Sequence, residues 1–322
     1  MKIQKYKQNI KKHTIRVSLF LFFSLLLTLI PYPNKYFFPV PKTQGLGTIT
    51  ESKLPDPPLY PVNDNIYPIP FTSAQGVYIV DLPSGGVIYE KNADGKLPPA
   101  STTKVITALV AMKHFKLDDV IKVKNVMKEG KTMGLIPNEE LTFESLLYGM
   151  LVHSANDAAF AVAENYPGGL EKFVIDMNKL AKDYGLSDSR FSNPAGLDDE
   201  RQFTTAKDLA KIAKIALSDK TFAKIVSTRS ITVSDINFTI FHDLKNVNEL
   251  LGKVAGVAGV KTGQTQNGGE ILVSEVKKND RSVLFVVMKS SERFGETERL
   301  INWVFDNIRW TDIRQITPAN PL

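Results

Sequence analysis

The sequence predicts an α+β domain: a mainly antiparallel sheet flanked by helices. Three observations carry that prediction. β-rich runs stand at both ends of the body of the chain, Gly76 to Asp81 and Gly86 to Glu90 near its start, Val257 to Thr262, Glu270 to Val276 and Ser282 to Met288 near its end. Between them lies a long stretch of helical segments. Apolar residues make up 43% of the 322, enough for a sizeable core without the disulfides that a chain lacking cysteine cannot form.

The first 72 residues are of a different kind. Residues 1–16 carry Lys2, Lys5, Lys7, Lys11, Lys12 and Arg16 and no acid. That arm accounts for the whole net charge of +6, because the remaining 34 basic residues match the 34 acidic ones. The charge is therefore a targeting feature, and the neutral body gives no reason to expect nucleic acid as a partner. Residues 17–30 form an apolar run, Val17 to Ile30, flanked by Tyr32, Tyr36, Phe37 and Phe38. Basic arm followed by apolar run is the pattern of a secretory signal or signal anchor. With Pro31-Tyr32-Pro33-Asn34 after it and no small-x-small site, an uncleaved anchor is the favoured reading and a cleaved signal the alternative. In both, the arm stays in the cytoplasm and the rest lies outside. Residues 31–72 form an expected extended linker, since positions 31–70 hold ten of the 18 prolines and show no helical or strand period.

The globular part is expected over residues 73–310, with 311–322 as a short polar tail. Leu82-Pro83-Ser84-Gly85 turns the first two runs into a hairpin. Ser101 to Phe115 is apolar on all sides, as in a buried helix. Val120 to Val123 is a short strand. Thr142 and Ser145 are both possible caps of a helix ending near Val152. Further helices are expected over Asn156 to Asn165, over Leu170 to Tyr184 with Gly185 as its stop, and over Thr205 to Leu217. Ser230 to Val233 and Asn237 to Ile240 read as a strand pair turning at Ser234-Asp235-Ile236. Glu298 to Ile308 reads as a closing helix.

The body is organised around Pro98-Pro99-Ala100-Ser101-Thr102-Thr103-Lys104. Ser101 and Lys104, three apart, share a helix face, so the amine can reach the hydroxyl. A lysine in a desolvated site has a lowered pKa and can act as a base. A serine at the positive end of the helix dipole is then an activated nucleophile with no need of histidine. A helix cap followed by a surface lysine would give the same pattern. Two later motifs shift the balance. Ser154 and Asn156 stand two apart between two helices, and Lys261-Thr262-Gly263 lies on a strand. His13, His114, His153 and His242 show neither ligand spacing nor acidic partners, and His153 reads as a packing residue. No metal, P-loop or dinucleotide fingerprint is present.

Serine-x-x-lysine, serine-x-asparagine and lysine-threonine-glycine, in this order and at these intervals, form the motif set of penicillin-binding proteins and serine β-lactamases. Met133 to Thr142, Ser192-Asn193-Pro194-Ala195-Gly196-Leu197 and the run from Gly76 through Lys104 agree with it. Over about residues 74–310 the chain resembles the low-molecular-weight D-alanyl-D-alanine carboxypeptidases, the S11 serine peptidases. The resemblance implies the penicillin-binding protein/serine β-lactamase-like fold, no cofactor, peptidoglycan pentapeptide stems as substrate and β-lactams as covalent inhibitors. It further implies that Ser101 attacks the carbonyl between two D-alanines while Lys104 takes its proton. Ser154 would relay a proton to the departing D-alanine, Asn156 would hold the substrate amide or steer Lys104, and Lys261 would add positive potential. Thr262 would bind the terminal carboxylate, and Gly263 would let the substrate lie along the strand edge. The backbone amides of Ser101 and Gln264 would hold the oxyanion. Arg293 sits where relatives carry a basic residue near the substrate carboxylate, although a plain surface arginine is the favoured reading of the sequence.

Many relatives add an all-β domain and a C-terminal amphipathic helix after the catalytic domain, so the expected attachment here is N-terminal. Single-domain relatives include endopeptidases that cut D-alanyl cross-links, which is one alternative activity. A β-lactamase is a second, although no glutamate between the second and third motifs stands in an evident deacylation motif. A non-catalytic wall-binding protein or β-lactam sensor is a third.

Overall fold

The computed structural model describes residues 56–63 and 67–315, together with Ser18 and Leu25. The basic arm, the apolar run apart from those two residues, the linker through residue 55 and residues 316–322 of the tail lie outside the described residues. Among the described residues no helix is long and apolar enough to cross a membrane. The described residues from Asp56 onward belong to one compact unit.

The strands are β1 (Tyr60–Val62), β2 (Gly76–Asp81), β3 (Val87–Lys91), β4 (Val120–Lys122), β5 (Glu140–Thr142), β6 (Ser230–Ser234), β7 (Phe241–Lys245), β8 (Val257–Thr265), β9 (Gly269–Lys278), β10 (Arg281–Ser290) and β11 (Arg309–Thr311). The helices are α1 (Lys104–Met112), α2 (Phe143–Leu151), α3 (Asn156–Asn165), α4 (Gly169–Asp183), α5 (Ala206–Leu217), α6 (Lys220–Val226) and α7 (Arg293–Asn307). A 3-10 turn, Ala100–Thr103, runs directly into α1.

Five strands form the main sheet in the order β3-β2-β10-β9-β8, every pair antiparallel. β10 shows why its sequence reads as an unbroken apolar run. Val283, Phe285 and Val287 pack with Leu300, Ile301, Trp303 and Val304 of α7 on one face. Leu284, Val286 and Met288 join the larger helical core on the other. With both faces covered, alternation disappears, and each such side chain contributes roughly 1.5–3 kcal/mol of burial. On the helical side, α1 packs against α2, α3, α4 and α5. Eight of its nine residues are buried, Lys104 among them.

Local signals set the helix ends. Thr142 Oγ1 accepts from the Ser145 amide at 3.2 Å at the start of α2, and Thr205 Oγ1 accepts from Asp208 at 3.0 Å at the start of α5. Gly185, at φ +65°, ends the turn after α4.

Four expectations need correction. The second strand of the 230–245 hairpin is Phe241–Lys245, not Asn237 to Ile240. The Asp235 carboxylate accepts from the amides of Asn237, Thr239 and Ile240 and curls that stretch into the turn. α7 begins at Arg293, because Glu292 caps it by accepting from the Gly295 amide at 2.6 Å. The edges of the globular part also shift: β1, inside the expected linker, pairs with β11, where the tail was to begin. Finally, His242 does have an acidic partner, Glu139.

Candidate active site

The site forms where the 3-10 turn, the loop between α2 and α3, and the edge strand β8 meet. Ser101 stands on the turn, half-buried, after Ala100 at φ +46°. The turn can be approached from one side only because position 196 is glycine. A Cβ there would lie 1.8 Å from the Ala100 carbonyl oxygen, and φ is +81°. Asn193 holds that loop, its Oδ1 accepting from the amides of Ala195, Gly196 and Leu197 at 3.2, 2.7 and 3.0 Å.

Lys104 is fully buried, and its Nζ is fixed by three oxygens: Ser101 Oγ at 2.9 Å, Asn156 Oδ1 at 2.7 Å and the Ala195 carbonyl at 2.8 Å. Burial lowers its pKa from 10.5 to about 7, against a smaller upward pull from Asp157. Near pH 7 much of the amine is therefore neutral. A neutral amine has two N–H bonds and one lone pair. Asn156 and Ala195 can only accept, so they take the N–H bonds and leave the lone pair facing the Ser101 hydroxyl. Asn156 is itself held, because its Nδ2 donates to the Glu129 carbonyl at 2.8 Å.

Lys261, on β8, is the second buried lysine. Its Nζ donates to Ser154 Oγ at 2.7 Å and to the Thr262 carbonyl at 3.0 Å. Burial first, then the charges of Lys104, Arg293 and Lys131, push its pKa well down. Ser154 is buried and sits at φ +65°, a left-handed conformation that costs a non-glycine residue about 1 kcal/mol or more and collects at functional sites.

Ser101, Ser154, Asn156, Thr262, Gly263, Gln264 and Arg293 line one cleft of about 510 Å³. Lys104 and Lys261 lie buried behind it, so all nine candidate residues converge. β8 is the outer strand of the sheet, with one edge unpaired beside Ser101. A Cβ on Gly263 would sit 3.2 Å from the Ser101 amide nitrogen, which fixes how close strand and nucleophile are. The Arg293 side chain is only 12% exposed. Its Nη1 is 3.3 Å from Gln264 Oε1 and 3.5 Å from Glu270 Oε1, so it belongs to the wall of the cleft and is not a free surface arginine.

Sequence reasoning missed three supports. Asp157, 1% exposed, accepts from the amides of Met133, Gly134 and Leu135 at 3.0–3.1 Å and anchors the loop leading to the cleft. Its place beside Asn156 was the available signal. Ala195 acts through its carbonyl, which no side-chain pattern reveals. The Glu139–His242 pair joins residues 103 positions apart.

A serine at the start of a buried helix, served by a buried lysine and facing the edge of a five-stranded antiparallel sheet, is the arrangement of the penicillin-binding class of serine enzymes. The sequence profile of the D-alanyl-D-alanine carboxypeptidases, Peptidase S11, matches residues 66–292, and the chain belongs to that family. A D-alanyl-D-alanine carboxypeptidase of Bacillus subtilis is 33% identical over 242 residues, 72% of this chain and 62% of that protein. The crystal structure of the Streptomyces K15 DD-transpeptidase superposes with a TM-score of 0.71 at 28% identity, covering 74% of this chain and 100% of that one. Penicillin-binding protein D2 from Listeria monocytogenes, in its ampicillin-bound form, gives 0.66 at 26% identity, with 74% and 100% covered. The chain spans under two thirds of the length of the first curated relatives it matches.

Proposed function

We propose that the protein is a serine-type D-Ala-D-Ala carboxypeptidase that trims peptidoglycan stem peptides through an acyl-enzyme at Ser101. The observation that carries this reading is the Lys104 Nζ, buried and 2.9 Å from Ser101 Oγ, with its other two positions taken by fixed acceptors. Lys104 accepts the Ser101 proton as Oγ bonds to the carbonyl carbon of the penultimate D-alanine. The oxyanion is held by the backbone amides of Ser101 and Gln264, each worth about 3 kcal/mol to the transition state. The C–N bond then breaks, and Ser154, held by Lys261, relays to the departing D-alanine the proton that Lys104 took up, which leaves Ser154 protonated and Lys104 neutral. Water hydrolyses the ester and restores Ser101. The stem peptide lies along the open edge of β8, with its terminal carboxylate at Thr262 and Arg293.

A β-lactam enters the same chemistry, but its leaving nitrogen remains tethered in the site, which supports covalent inhibition. The S11 family membership and the ampicillin-bound relative favour this. The basic arm and apolar run of residues 1–30 support attachment to the cytoplasmic membrane, with the catalytic unit on the outer side.

The test is D-alanine release from a pentapeptide ending in D-Ala-D-Ala, with Ser101→Ala as control. Release and covalent penicillin labelling are both expected to vanish in the variant. Labelling retained by Ser101→Ala would overturn the assignment. Rapid, continuous nitrocefin turnover by the wild type would move the reading to a β-lactamase.

A further inference from the structure

Arg293 is gripped by a carboxylate to which the chemistry above gives no part. Glu270, on β9, stands opposite Gln264 of β8 and Ser290 of β10, so the three form one row across the sheet. Its Oε2 accepts from the Arg293 backbone amide at 2.9 Å, and its Oε1 lies 3.5 Å from Arg293 Nη1. One side chain thus meets both the first amide of α7 and the head of the arginine. Gln264 Oε1 at 3.3 Å and the Gly263 carbonyl at 3.5 Å also face Nη1. Nη1 has two N–H bonds and three oxygens around it, so it has none to spare. Among the described residues Nη2 meets no acceptor, and Nε is buried without one. Nη2 is the donor left for a ligand.

The start of α7 has other anchors. Ser290 Oγ accepts from the Glu292 amide at 2.9 Å and donates to the Glu296 carboxylate at 2.7 Å. Glu296 also accepts from Thr72 Oγ1 and the Ser73 amide, both at 2.7 Å. The helix therefore keeps its place without Glu270, and what Glu270 controls is the guanidinium. Burial disfavours the charged form of Arg293, and the charge of Glu270 is the main offset.

We propose that Glu270 is a positioning residue for substrate binding: it locks the Arg293 head in advance, so that Nη2 meets the carboxylate of the terminal D-alanine already aimed. The inference rests on the functional reading above, in which that carboxylate lies at Thr262 and Arg293. A free arginine side chain must be ordered when the ligand arrives, and that cost weakens binding. Glu270 also repels an incoming carboxylate. Both of its oxygens are engaged by Arg293, so the ordering effect is the larger. The grip is the same before and during bond making, so Glu270 acts on binding and leaves the chemical step alone.

The test is a double-mutant cycle of Glu270→Ala and Arg293→Ala, with Glu270→Gln as the variant closest in shape. KM and kcat are measured for D-alanine release from diacetyl-L-Lys-D-Ala-D-Ala. The dissociation constant and the acylation rate are measured separately for benzylpenicillin, whose carboxylate stands next to its leaving nitrogen. Glu270→Ala is expected to raise KM and the penicillin dissociation constant about 5- to 10-fold, with kcat and the acylation rate within about 2-fold. Glu270→Gln is expected to fall between, because it keeps an acceptor for the Arg293 amide but no charge for the guanidinium. In the Arg293→Ala background the Glu270→Ala effect is expected to shrink below about 2-fold. A purely structural role would give the same loss with and without Arg293, and that result would overturn the proposal. So would a KM that stays or falls in Glu270→Ala, or a loss confined to kcat. A wild type that releases no D-alanine would overturn the carboxypeptidase reading, while the penicillin cycle would still decide the role of Glu270.

Discussion

His242 Nε2 lies 2.6 Å from Glu139 Oε1, and both side chains are buried. The other ring nitrogen, Nδ1, is 3.0 Å from the Met133 carbonyl, which only accepts, so Nδ1 carries a proton. The pair ties the β6–β7 hairpin to the loop whose next amides, at Met133 to Leu135, are gripped by Asp157. A continuous set of bonds therefore runs from His242 to the start of α3, one residue from Asn156.

His242→Ala is expected to lower stability by about 3–5 kcal/mol, because Glu139 is left buried without its partner. Urea denaturation measures this as a fall in midpoint at constant slope. Replacing both partners, His242→Leu with Glu139→Leu, should recover part of the loss, since no unpaired charge remains. A single variant as stable as the wild type would mean that the pair does not hold the loop.

In the mechanism proposed above, the pKa of Lys104, lowered to about 7 by burial, sets the pH dependence of acylation. The reactive form is the neutral amine. Acylation by benzylpenicillin should therefore fall as pH drops through about 7 and approach a plateau above about 8. Lys104→Arg keeps the charge but cannot give up its proton at these pH values. It should lose roughly 100- to 10,000-fold in acylation rate, the range of a missing general base. Stopped-flow acylation across pH 5–9 tests both.

Asn156→Asp turns the same geometry into a second pH experiment. Its Oδ1 is 2.7 Å from Lys104 Nζ, and a carboxylate there would favour the ammonium form. The acid limb of the acylation profile should move to higher pH by one unit or more, with the rate at pH 7 down about 10-fold and largely recovered in alkali. Asn156→Ala should also slow acylation but leave no such recovery, because it adds no charge. Matching profiles for the two variants would show that Asn156 does not steer Lys104.

The motif residues were legible because their chemistry lies in side-chain identity at fixed intervals: Ser101 with Lys104, Ser154 with Asn156, and Lys261 to Gly263. The sheet was legible in its apolar runs, down to the Val283–Met288 stretch that faces two cores. What stayed hidden depends on long-range geometry. Arg293 reads as a surface residue until Gln264 and Glu270 are seen to enclose it. The register of the 230–245 hairpin turned on where Asp235 sends its carboxylate, because Asn237 to Ile240 has ordinary strand composition. β1 escaped notice because a three-residue strand among prolines gains its partner, β11, from the far end of the chain.

Gly196→Ala tests the close approach on which the nucleophile depends. A methyl group there would be driven to 1.8 Å from the Ala100 carbonyl oxygen and 2.9 Å from Thr103 Oγ1, at a φ of +81° that L-residues rarely adopt. The obstacle is backbone, so no rotamer change relieves it. Either the 195–197 loop or the Ala100–Thr103 turn must move. The first would shift the Ala195 carbonyl off Lys104 Nζ, and the second would shift Ser101 itself. Misplacement by about 1 Å can cost 100-fold in rate. The expected result is acylation by penicillin slowed 100-fold or more, together with a loss of about 1–3 kcal/mol in stability. Asn193→Ala separates the two effects. It frees the same loop without adding bulk, so it should lower stability while costing less in rate. If Gly196→Ala acylates at the wild-type rate, the nucleophile turn does not depend on this contact.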